Sequence, residues 1–268
     1  MTDITPNISI PVDLSNPGQF FACCGLLELA DRLWPDAMGW FENAQFMIVS
    51  NDTACKIDAL LCALASAGVD QLDGDDDATS PLRLKLTESK CLRLDWWQDE
   101  AAGGKNLKTW AGQQSGPNIF RLMLKAAGRA PPKAPLDYAD AIFDSKDGKQ
   151  NKKTISPFYF DARRAGTALD AGFSADEQQM SVRDFPAVEA LALVGLQRFR
   201  PRVDESTSPT SLVYTPWPQP LAPASAQCIV CGALVLPSCQ RYRFTKPSRG
   251  GKYASMFSRA TRERRSYA

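Results

Sequence analysis

"LRLKLTESKCLRLDWW", Leu82 to Trp97, alternates apolar and charged residues in two runs. Leu82, Leu84 and Leu86 alternate with Arg83 and Lys85. Leu92, Leu94 and Trp96 alternate with Arg93 and Asp95. A side-chain period of two with a polar turn between the runs predicts a β-hairpin over 82–96 with one buried face. The sequence around it has a helical period. "SNPGQFFACCGLLELADRLWP" predicts a helix capped by Asn16, with Pro17 at its first position and Pro35 ending it. It is apolar on nearly every side, so it is expected to be buried.

"DTACKIDALLCALASAG" predicts a second helix, capped by Asp52 or Thr53, stopped by Gly68, and carrying Cys55 and Cys62 on one face. Further helices are expected from about Pro117 to Ala127, over "PLDYADAIFD", and over the buried stretch "FPAVEALALVGLQRF". "QFMIVS", "SPFYFD", "SLVYTPW", "QCIVCGALVL" and "QRYRFT" read as strands. The fold class is α+β, mixed helices and antiparallel strands. It forms either one domain over 1–268 or two tightly packed lobes dividing near 128–135, with a basic, flexible segment over 246–268.

No histidine occurs in the 268 residues. That removes Ser-His-Asp and Cys-His catalysis and every His-ligated metal site, and moves the expectation toward binding. The eight cysteines read as reduced core thiols. Cys228, Cys231 and Cys239 make a poor zinc set, with no fourth ligand in view. Asp137, Asp140 and Asp144 at i, i+3 and i+7 would share a helix face. With Lys146 and Lys149 nearby they keep a carboxylate- and metal-dependent nuclease open as an alternative. No apolar run is long enough to span a membrane, and the N-terminus lacks the pattern of a signal peptide, so a cytoplasmic protein with no cofactor is expected.

Charge is uneven. Arg241 to Ala268 carries nine Lys/Arg and one acid, while the rest carries 22 Lys/Arg against 29 Asp/Glu. An anionic partner for the C-terminal segment follows. Its candidate contacts are Arg241, Arg243, Lys246, Arg249, Lys252, Arg259 and Arg262. Arg163 and Arg164 in "DARR", and Arg200 and Arg202 in "QRFRPR", add to them. The glycine-rich loop before the Pro117 helix offers Lys105 and Lys108 to phosphate. Trp110 could stack on a base or pack into the core, and Gln113, Gln114 and Asn118 could reach base edges.

Four stretches together carry a resemblance: "NPGQFFACCGLLELADRLWP", "KTWAGQQSGPNIFRLM", "SPFYFDARRAGTALDAGFS" and "VEALALVGLQRFRP". They resemble the CRISPR-associated proteins of the type I-G (formerly I-U) systems. The similarity is to the short family that forms a large-subunit-like component of the interference complex, Cascade, and it extends from about residue 8 to residue 260. It implies a non-catalytic place in antiviral defence beside other Cascade subunits, guide CRISPR RNA and target double-stranded DNA. A large subunit recognises the short motif beside the target and helps open the duplex, and a separate helicase-nuclease cuts. At 268 residues the chain is short for that role, which leaves part of it to another protein. A purely structural assembly subunit is the other alternative.

Overall fold

A computed structural model describes residues 4–72, 79–101, 103–111, 114–143, 155–164, 182–204, 211–236, 239–248 and 255–263. Six helices and ten strands lie in these residues: β1 (Ile8–Pro11), α1 (Pro17–Leu33), β2 (Met38–Glu42), β3 (Gln45–Val49), α2 (Ile57–Ser66), β4 (Gly68–Gln71), β5 (Leu82–Lys85), β6 (Cys91–Leu94), α3 (Gly104–Leu107), α4 (Gly116–Ala127), α5 (Pro186–Arg198), β7 (Arg202–Val203), β8 (Ser211–Tyr214), α6 (Pro223–Val230), β9 (Tyr242–Thr245) and β10 (Thr261–Arg262). The class is α+β. All three sheets are antiparallel, in the orders β1-β3-β2, β4-β5-β6 and β10-β9-β8-β7.

The hairpin pairs Leu82 with Leu94 and Leu84 with Leu92, and those leucines are buried while Arg83, Lys85, Cys91 and Arg93 are exposed. Asn16 caps α1 by accepting from the Gly18 N–H at 3.1 Å. From Pro17 to Ala30 every residue of α1 is buried. It lies against α5, buried from Pro186 to Leu196. The backbones come closest at two glycines. A Cβ on Gly25 would collide with the Leu191 carbonyl oxygen, and one on Gly195 with the Phe21 carbonyl oxygen. One hydrophobic cluster runs from Ile8 to Ala260 around this pair.

Several expectations are corrected. "QCIVCGALVL" contributes the end of α6, not a strand. Pro223 at its first position starts the helix, and Ala226, Ile229 and Val230 are buried at helical spacing. "SPFYFD" forms no strand over residues 156–161. "PLDYADAIFD" is only a 3-10 turn, Pro135–Asp137, followed by a bridge between Asp140 and Asp184. Asp137 and Asp140 therefore share no helix face, and Asp144, Lys146 and Lys149 lie outside the described residues. Asp137 is paired with Arg163, and Asp140 with Arg129. α2 starts at Ile57 rather than after Asp52, whose side chain closes a turn at the Ala54 N–H. Cys55 thus precedes the helix and is buried, whereas Cys62, Cys91 and Cys228 are exposed rather than core thiols. The C-terminal segment is also not free where it is described. β10 pairs with β9, Phe257 is fully buried, and the Ala260 N–H donates to the Ser15 carbonyl at 2.7 Å. No helix of the described residues is long and apolar enough to cross a membrane.

Candidate nucleic-acid interface

The glycine-rich loop leaves β6 through a 3-10 turn, Trp96–Gln98, and enters α3. Gly104 packs where a Cβ would collide with the Trp96 carbonyl, so the chain can pass only without a side chain there. Trp110 is 2% exposed. Its ring meets those of Trp96, Trp97 and Phe158 edge-on at 5.9, 5.4 and 5.0 Å. Of the two roles open to it, core anchor is the one the structure adopts, and base stacking is corrected. The Gln114 side-chain oxygen accepts from the Ala111 N–H at 3.0 Å and closes the loop on itself. Ser115 caps α4 by accepting from the Asn118 N–H. Gln113 lies outside the described residues.

Lys108 and the C-terminal segment come together. The Lys246 ammonium donates to the Lys108 carbonyl at 2.9 Å. The Lys108 ammonium donates to the Trp110 carbonyl at 3.1 Å and lies 4.9 Å from the Trp110 ring centre. Ser248 bridges Ser255, and the Ser255 N–H donates to the Thr109 carbonyl at 3.0 Å. The two sequence segments singled out for nucleic acid thus form one corner. Arg249 and Lys252 fall in 249–254, between the bridged serines but outside the described residues. Burial and, second, the Lys108 charge lower the Lys246 ammonium to about 8. No carboxylate forms an ion pair with Lys246 among the described residues.

Most of the other candidate cations form ion pairs within the fold. Lys105 pairs with Glu100 at 2.6 Å and Arg200 with Asp99 at 2.5 Å. Arg241 pairs with Glu263 at 3.1 Å, Arg243 with Asp204 and Glu263 at 2.5 and 2.6 Å, and Arg259 with Asp13 at 2.8 Å. Arg163 pairs with Asp137 and Asp161, both at 2.7 Å, and Arg164 with Asp184. Arg202 and Arg262 are exposed on edge strands β7 and β10.

A buried polar clamp escaped the sequence reading. Glu189, in the first turn of α5, accepts the Phe160 and Asp161 N–H groups at 3.3 and 3.0 Å. Asn16 donates to Asp161 at 2.9 Å and accepts from the Ala162 N–H at 3.1 Å. A Cβ on Gly18 would collide with the Phe160 carbonyl. Residues 158–164 are thereby seated across the N-termini of α1 and α5. Tyr159 sits at φ 68°, a conformation rare for a bulky residue and sustained here by this surrounding network. The only sequence signal was the pairing of a helix cap, Asn16, with an acid in an apolar helix.

Burial, the first of several causes, raises the Glu189 carboxyl from 4.5 to about 7. A carboxyl raised by folding stabilises the fold fully below the unfolded value, and that contribution is lost as pH rises through the folded value. Glu189→Gln should therefore gain stability relative to the parent as pH rises from 4.5 to about 7, by on the order of 3 kcal/mol. Urea midpoints measured across that window check this, and parallel curves for the two proteins would contradict it.

What this arrangement can do chemically is hold an anion at the Lys108–Lys246 corner. Among the described residues no group of three or more Cys, Asp or Glu side chains is arranged to hold a metal ion. Compared with protein-family models, curated proteins and solved structures, the chain matches none.

Proposed function

We propose that the chain is a non-catalytic nucleic-acid-binding subunit that grips sugar–phosphate backbone at the Lys108–Lys246 corner. The observation that carries this reading is two adjacent ammonium-bearing side chains, one of them depressed toward neutral pH, with no carboxylate paired to Lys246 among the described residues. A phosphate supplies the missing charge and returns Lys246 to its ordinary range. The type I-G resemblance supplies the setting: a Cascade complex with guide RNA, target duplex and a helicase-nuclease that cuts. A second reading, a structural assembly subunit, is favoured by the many arginines already committed to internal carboxylates.

The test is co-purification with neighbouring operon products, with and without guide RNA, followed by duplex-DNA binding across a salt series. Lys108→Gln with Lys246→Gln should lower the slope of log affinity against log salt by roughly one to two units. Affinity of the intact complex should also fall as pH rises through about 8, and this fall should vanish in Lys246→Gln. Unchanged slope and pH profile in an intact complex would leave the assembly reading.

A further inference from the structure

Among the described residues, the two most exposed large apolar side chains are neighbours, Leu234 at 48% and Val235 at 69%. One exposed aliphatic residue means little. Here two stand together on a turn whose backbone is held. Gly232, at φ 76°, ends α6, and its N–H donates to the Ile229 carbonyl at 3.1 Å. The Leu234 N–H donates to the Cys228 carbonyl at 2.8 Å, and Leu236 returns to pack on the core. Leu234 and Val235 thus project from fixed backbone, so a partner that covers them meets a small ordering cost.

The chain around them is free of charge. From Ser206 to Gln240 no Asp, Glu, Lys or Arg occurs, in a sequence that is 23% charged. A surface helix ordinarily turns charged side chains to water. α6 turns out Ala224, Ser225 and Cys228 instead. Loss of charge at the centre, with polar groups kept for the rim, is the pattern of a surface that another protein covers.

Arg202 supplies the rim. Its side chain crosses the turn, since a Cβ on Gly232 would lie 3.1 Å from the Arg202 Cδ. Arg202 is exposed on β7 and forms no ion pair among the described residues. Asp204, two positions on, is 5% exposed and held by Arg243 at 2.5 Å. A second copy docked through the same patch would bring another Arg202, and no carboxylate among the described residues of the patch to answer it. Like charges across a rim repel, so the patch complements a different surface, one of negative charge.

We infer that the turn after α6 is a docking surface for another protein, inserting Leu234 and Val235 into an apolar depression edged by an aspartate or glutamate that pairs with Arg202. The inference rests on the reading of the chain as a subunit of a complex, and not on its grip on nucleic acid. The surface shares no residue with the Lys108–Lys246 corner.

The experiment co-expresses the full chain with its neighbouring operon products and measures assembly and affinity at low and high salt. The variants are Val235→Glu, Leu234→Ser, Arg202→Glu and Arg202→Lys. Val235 is largely exposed and the Leu234 bond to Cys228 is made by backbone, so both apolar changes should leave the urea midpoint at the parental value. Affinity for the partner should fall by roughly tenfold or more in Val235→Glu at either salt, and several-fold in Leu234→Ser, since apolar contact is not screened. In Arg202→Glu it should fall at low salt, recover in part at high salt, and be kept by Arg202→Lys. Duplex-DNA affinity of the isolated chain should stay parental in Val235→Glu and fall in the Lys108→Gln/Lys246→Gln pair, so the two sites fail independently. Folded Val235→Glu that assembles like the parent overturns the docking surface, as does a parent that joins none of the products. Arg202→Glu that assembles like the parent overturns the acidic edge. A parent that is dimeric by itself, and monomeric as Val235→Glu, gives the surface to a second copy and overturns the assigned partner.

Discussion

Gly25→Ala, or Gly195→Ala, should prevent the chain from reaching its native state or cost it at least about 3 kcal/mol, the top of the usual range for overpacking. The reason lies in what the new methyl would strike. At Gly25 it meets the Leu191 carbonyl, and at Gly195 the Phe21 carbonyl, both inside helical backbone that cannot swing aside as a side chain would. Separating α1 and α5 to admit it would loosen the packing of two helices that are buried on nearly all sides. Gly68→Ala is the matched control. The nearest atom to a Cβ there is Lys85 Cβ at 3.6 Å, an ordinary contact, so stability should change little. Urea unfolding of the three variants checks the contrast. A Gly25→Ala protein as stable as the parent would mean that α1 and α5 do not cross at these glycines.

Which parts of this fold were legible in the sequence follows from the range of the forces involved. The hairpin was readable because alternation is local: Leu82, Leu84, Leu92 and Leu94 announce their own buried face. The Asn16–Pro17 start of α1 was readable because capping is decided within a few residues. α6 was misread because "CIVCGALVL" is equally apolar at spacing two and spacing three to four; Pro223 upstream settled the matter. The segment 156–161 was misread because its hydrogen bonds go to Glu189 and Phe257 rather than to a neighbouring strand. Charge was the least legible of all. The C-terminal excess of positive charge is a correct count, yet Arg259 is answered by Asp13, 246 positions away, and Arg243 by Asp204 and Glu263. The residues that became informative, Lys108 and Lys246, are 138 positions apart, and nothing in either segment encodes their meeting. Composition located the basic segment, and only the fold sorted its committed cations from Lys246, which pairs with no carboxylate among the described residues.

Trp110→Ala should cost roughly 3–5 kcal/mol of stability, as expected for deleting a fully buried large aromatic side chain. Trp96, Trp97 and Phe158 surround the ring, and each would lose an edge-to-face partner and face a void. The loss also undermines the proposed phosphate-binding corner, since the Lys108 ammonium lies over that ring and donates to the Trp110 carbonyl. Trp110→Phe keeps a smaller ring in place and should cost clearly less. Two measurements separate packing from recognition: the urea midpoint of each variant, and the affinity for DNA of the fraction that remains folded. For a core anchor, both variants lose stability in proportion to ring volume, and folded Trp110→Phe binds nearly as tightly as the parent. A Trp110→Ala protein with parental stability and severely weakened binding would require the ring to leave the core and stack on a base. That would restore to Trp110 the role that its burial now denies it.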